Sequence, residues 1–128
     1  MNDAVKQKWV EALRSGKYRQ AKQRLHLEDG SMCCLGVLCD LYIKEHPNAE
    51  WEKREHAKID VDGKQLACYE LFQDSSILPY TVSTWAGLKN NSHNPYVNYK
   101  GKSKVLTEMN DKLDCDFNTI ADAIEESL

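Results

Sequence analysis

The chain lacks any apolar run approaching the ~20 residues of a membrane-spanning helix, which excludes an α-helical integral membrane protein. It also lacks a leader-like start, because MNDAVKQKWVEALR alternates charged with apolar residues; the expected compartment is the cytoplasm. No Cys-x-x-Cys pair occurs among Cys33, Cys34, Cys39, Cys68 and Cys115. An odd count without a secretion signal reads as free thiols in a reducing compartment, so neither a zinc site nor a disulfide framework is expected. Asp111, Asp114 and Asp116 lack the glycine and terminal glutamate of a calcium loop, and Gly101-Lys102-Ser103 lacks the earlier glycine of a phosphate loop. Internal repeats, linkers and low-complexity segments are absent as well. No metal or cofactor is expected.

What is present is the balance of an ordinary globular domain: 128 residues, 41% hydrophobic and 29% charged. Net charge is −3, which gives the whole molecule no attraction for nucleic acid. The charge is unevenly placed. Arg14, Lys17, Arg19, Lys22 and Arg24 follow one another with no acid between them, whereas Asp114, Asp116, Asp122, Glu125 and Glu126 close the chain with no base.

Periodicity predicts an amphipathic first helix capped by Asn2 or Asp3, with Val5, Trp9 and Leu13 on one face and Gly16 at its end. Residues 18–28 read as an extended segment. Ser31 is the expected cap of a central apolar helix, MCCLGVLCDLYIKEH, in which Gly36 marks a close contact and His46-Pro47 the stop. Residues 48–56 read as a loop or short exposed helix, and Asp62-Gly63 as the type I′ turn of a hairpin whose Ile59 and Val61 share a face. Pro79 opens a short helix that Gly87 ends. A turn-rich loop at 89–99 runs into a possible strand, and two helices follow, roughly 103–112 and 117–127, the second capped by Asp114 or Asp116. The predicted fold is α+β: one small domain over residues 1–128, with a central apolar helix, further amphipathic helices and a small antiparallel sheet.

WVEALRSGKYRQ, CCLGVLCDL, LPYTVSTWAGL, LTEMND and FNTIADAIE form an ordered set. Together they resemble a small-protein family found mostly in tailed-phage and prophage genomes. The resemblance covers nearly the whole chain and implies a phage accessory role, such as blocking host defence, without supplying an active site. A host ligand is implied, either an anionic nucleotide signal or a defence effector protein.

Three chemistries compete for the residues. Cys33 or Cys34, after the Ser31 cap, would suit a nucleophile with His26, His46, His56 or His93 as base, in a hydrolase or transferase; the bland alternative is small buried core residues. The 106–128 segment has a helix-turn-helix rhythm, but Asp122, Glu125 and Glu126 would repel a polyanion, so no DNA is expected as partner. Tyr18, Arg19, Gln20, Lys22 and Arg24 combine an aromatic, an amide and three cations. In a strand, Gln20, Lys22 and Arg24 would share a face able to grip phosphates, with Trp85 stacking on a base. The bland alternatives are a solvated face for the cations and a core place for Trp85. Asn110 and Asp111 are read as satisfying backbone groups at a helix end. The leading expectation is therefore a non-enzymatic binding protein using the 18–24 cluster; a structural interaction module, with possible homo-oligomers, is the other.

Overall fold

A computed structural model describes all residues 1–128. Its elements run α1 (Asp3–Arg14), β1 (His26–Leu27), α2 (Cys34–Glu45), β2 (Glu52–Val61), β3 (Lys64–Glu70), α3 (Tyr80–Ala86), β4 (Tyr96–Tyr99), β5 (Lys102–Val105), α4 (Leu106–Asp111) and α5 (Phe117–Ser127), with a 3₁₀ turn at Lys89–Asn91. The strands form two antiparallel sheets, one in the order β1-β3-β2 and the other the β4-β5 hairpin. This is the expected small α+β domain.

α2 is the core element. Cys34 through Cys39 are all buried, so the first half of the helix is apolar all round and covered on every side. α1 and α5 pack against each other, and α2 meets α1, α3 and α4. Asn2 caps α1 by accepting the Val5 N–H at 3.0 Å, and Val5, Trp9, Val10 and Leu13 face inward. The fully buried Trp9 indole donates to the Cys34 carbonyl at 3.0 Å, pinning α1 to the start of α2. Asp116 caps α5 through the Thr119 N–H at 2.8 Å. The Asp62-Gly63 turn has both residues at positive φ (51° and 87°), as a type I′ hairpin requires.

Several boundaries differ from the sequence reading, each for a tertiary reason. Residues 18–24 are not a strand: Gln23 stands at φ 70° and bends the chain, leaving only two-residue β1 to pair with β3. Ser31 does not cap α2. Its N–H and hydroxyl both donate to Asp29 Oδ1, at 3.0 and 2.6 Å, closing the turn before it. Residues 52–56 are strand, because β2 runs past a bulge between Arg54 and Lys58 to pair Glu52 with Glu70. Residues 102–105 are strand as well, since Lys100-Gly101 (φ 53° and 78°) makes a second type I′ turn.

Gly36 sits where the predicted close contact is most severe. A Cβ there would lie 1.8 Å from the Leu25 carbonyl oxygen, a backbone atom that cannot rotate away. Gly36→Ala is therefore expected to cost at least about 3 kcal/mol, the upper end of overpacking. Urea denaturation should show this as a lowered midpoint at unchanged slope.

Candidate functional site

The predicted 18–24 cluster is distributed among separate partners. The Tyr18 hydroxyl donates to Asp40 Oδ2 at 2.7 Å and accepts from Lys44 Nζ at 3.0 Å, tying it to α2. Arg19 reaches the Asp29 carbonyl at 2.5 Å and its carboxylate at 3.3 Å. The Gln20 amide donates to Asn110 Oδ1 and to the Cys115 carbonyl, both at 2.9 Å. Lys22 pairs with Asp114, which raises the lysine's pKa, and Arg24 bonds the Gln23 carbonyl at 2.9 Å. Trp85 lies half-buried against the core, edge-on to Tyr42 with centroids 5.3 Å apart. None of the five principal recesses is lined by any of these six residues. Arg14 likewise meets Asp122 at 2.6 Å and Glu125 at 3.2 Å, so two cations of the early basic run, Arg14 and Lys22, pair with the late acidic run, while Lys17 and Arg24 have no ion-pair partner.

Asn110 explains why the segment is bent and held. Its buried side chain accepts from Gln20 Nε2 and from the Cys34 N–H (3.2 Å), and donates to the Ala21 carbonyl and Asp111 Oδ1, each at 2.8 Å. Asp111 Oδ1 in turn accepts the Gln23 N–H at 2.9 Å. Cys33, the N-cap of α2, has no side-chain cap bond, so Asn110 supplies that acceptor from 76 residues away. The backbone groups that Asn110 and Asp111 satisfy thus belong to other elements, not to their own helix end.

The thiols are enclosed. All five cysteines are free and buried, and burial pushes the Cys33 thiol up to about 12 and raises Cys34 and Cys39 well above the ordinary value. This is the opposite of what a thiolate nucleophile requires. No three His, Cys, Asp or Glu side chains gather in a metal-binding group.

A different surface offers free cations. Between Asp74 and Glu108 the chain has no carboxylate and four lysines, Lys89, Lys100, Lys102 and Lys104. Lys104 is paired with Glu108 at 3.3 Å, but Lys89, Lys100 and Lys102 have no ion-pair partner. On β4, Val97 points into the core while Tyr96 and Asn98 point out, and Tyr96 is 67% exposed. Two recesses flank it. One, of about 600 Å³, lies toward Lys89, Asn90, Ser92 and Pro95; the other, of about 500 Å³, lies toward Asn98, Gly101 and Ser103. Ser127 borders both, and its hydroxyl accepts the Asn98 N–H at 2.8 Å, fixing the hairpin to the end of α5. Glu126 is the one carboxylate lining the second recess.

A family model described as a domain of unknown function, DUF8296, matches residues 1–128. The chain belongs to that family. No curated protein and no solved structure matches it.

In this DUF8296 protein the hairpin surface is marked in sequence by two signals: the 33-residue stretch without acids, and Lys100-Gly101 between YVNY and KSKV. The denser basic run at 14–24 outweighs them on count alone, yet its pairing with the C-terminal acids is visible only in three dimensions. No helix is long and apolar enough to cross a membrane.

The buried thiols carry a prediction. In native protein at pH 8, Cys33 and Cys34 should resist iodoacetamide while all five cysteines react in denaturant. Because the folded Cys33 pKa stands above its ordinary 9.0, its contribution to stability is intact below about pH 9 and is lost as pH rises toward about 12. Rapid native alkylation of either residue at neutral pH would restore the cysteine-enzyme reading.

Proposed function

We propose that the protein is a non-enzymatic accessory protein of phage type, acting in the host cytoplasm by binding an anionic host ligand and so blunting a defence response. The phage setting rests on the ordered phrases in the sequence. The anionic ligand rests on one observation: three unpaired lysines share an acid-free segment with an exposed tyrosine that stands between two recesses. Paired cations such as Lys22 are already neutralised, whereas unpaired ones attract a new anion without first breaking a bond. An aromatic ring beside them favours a nucleotide over a carboxylate-bearing protein surface, because every base has a face to stack.

A protein-interaction module is the second reading, and Phe72 is the observation that favours it. This residue is 48% exposed at φ 50°, next to Gln73 at φ 71°, in a tight turn closed by reciprocal Leu71–Asp74 bonds of 3.0 Å. Holding non-glycine residues there costs about 1–3 kcal/mol each, a strain that clusters at functional surfaces.

Phosphocellulose chromatography at pH 7 and low salt separates the candidate anion sites. A protein of net charge −3 would ordinarily flow through. The expected result is salt-reversible retention that Lys100→Glu with Lys102→Glu abolishes and Lys22→Glu with Arg24→Glu leaves intact. Flow-through of the wild type, or retention that depends on the 22/24 pair, contradicts the assignment to the hairpin.

A further inference from the structure

We infer that the outer edge of β2 pairs with the β2 edge of a second copy of this chain, forming an antiparallel, two-fold dimer. The inference goes beyond the anion-binding reading and uses neither Lys100 nor Lys102, so the two stand or fall separately. β2 is an outer strand of its sheet, with β3 as its neighbour. Its edge carries free backbone groups. The Ala67 carbonyl accepts the Glu28 N–H at 2.9 Å and the Ala67 N–H donates to Glu28 Oε1 at 2.8 Å, so the backbone groups of Ala67 face β1. In an antiparallel ladder these directions alternate, and Lys58, opposite Ala67, therefore turns its own N–H and C=O outward. Asp60, opposite Gln65, and Lys53, opposite Tyr69, do the same. The side chains of Lys53, Glu55, Lys58 and Asp60 are all exposed.

The bulge decides which register this edge offers to itself. From Arg54 to Lys58 β2 takes four steps while β3 takes one, from Cys68 to Ala67, so three extra residues stand on β2. An odd insertion exchanges the faces: Arg54 lies with Ile59 and Val61, and Lys53 lies with Lys58 and Asp60. Paired residues of two antiparallel strands share a face, so the register between copies moves only in steps of two residues. Displaced one way, it sets Lys53 against the partner's Lys58; displaced the other way, it sets Glu55 against the partner's Asp60. Both oppose like charges. Between them lies the register that sets Lys53 against the partner's Asp60 and Glu55 against the partner's Lys58, each pair occurring twice by symmetry. Lys53 already meets Glu55 at 3.2 Å and Glu28 at 3.3 Å within one copy, whereas Lys58 and Asp60 have no ion-pair partner. The unpaired charges of each copy thus complete the Lys53–Glu55 pair of the other. On the opposite face the same register places the Arg54 stem against the partner's Ile59, which is half-buried. A recess of about 520 Å³ at Glu55, His56 and Ala57 leaves room for the partner's bulge. Bulges and charges also blunt sheet edges, but blunting needs charge alone and not signs matched about a two-fold centre. One strand pair is a small interface, so the dimer is weak and concentration-dependent.

Sedimentation velocity over a concentration series, with circular dichroism as the check on folding, tests the inference. A reversible monomer–dimer equilibrium is expected. Lys58→Glu and Glu55→Lys should each weaken it about 10-fold or more, because each opposes like charges at two symmetric places, and the two combined should restore it. The register has a readout of its own. All native cysteines are buried, so mild oxidation of the Lys53→Cys, Asp60→Cys double variant should give a covalent dimer, while the Lys53→Cys, Lys58→Cys control should stay monomeric. Wild-type protein that is monomeric at every concentration overturns the inference. So does a dimer indifferent to both charge reversals, or a combined reversal that fails to recover it. Absence of cross-linking in the first cysteine variant, or equal cross-linking in the control, overturns it as well.

Discussion

The buried amide of Asn110 is the interaction on which the rest of this domain depends. Four hydrogen bonds from one side chain join the start of α2, the backbone after Gln20, the Gln20 side chain and the neighbouring Asp111. An apolar helix such as α2 has nothing of its own with which to satisfy its first N–H groups, and its N-cap is a cysteine with no side-chain bond. A buried donor left unpaired there would cost about 1–3 kcal/mol. Asn110 meets that need from α4, and in doing so fixes where α4 and the 18–24 segment sit on the core. Gly36 allows the same segment to lie directly on α2 at Leu25.

That constraint also decides which charges are free to act. The bent 18–24 segment carries Lys22 to Asp114, while Arg14 at the end of α1 meets Asp122 and Glu125 on α5. The charge asymmetry along the sequence thus closes on itself in part, through Arg14 and Lys22. Such exposed pairs add little stability individually, but a neutralised cation no longer recruits an anion. Charge is also left over on a different kind of element, the β4–β5 hairpin, where Lys104 meets Glu108 but Lys100 and Lys102 have no ion-pair partner. The proposed binding surface is accordingly β4–β5 and not the denser basic run.

Where structure is dictated locally, the sequence was readable. The face of Val5, Trp9 and Leu13, the Asp116 cap, the αL Gly87 after α3 and the Asp62-Gly63 turn each depend on neighbours a few residues away. The close contact at Gly36 was legible too, since a glycine inside an apolar helix has few other reasons to be there. The misses share the reverse property. The α2 cap comes from Asn110, 76 positions distant, and Ser31 turns to Asp29 instead. β2 extends because Glu70 is available to pair with Glu52, and β5 replaces the expected first turn of α4 because Lys100-Gly101 folds it back on β4. The partners of the 18–24 cations were illegible for the same reason: a lysine's freedom depends on which acid the fold brings to it, and counting charges along the chain cannot reveal that.

Hydrogen exchange and urea denaturation of Asn110→Leu, a change of similar volume that removes all four bonds, test the central claim most directly. The expected result is a stability loss on the order of 3–5 kcal/mol, with protection lost first at the Cys34 and Gln23 amides while the β4–β5 hairpin keeps its own. Stability within about 0.5 kcal/mol of wild type, with those amides still protected, would contradict it.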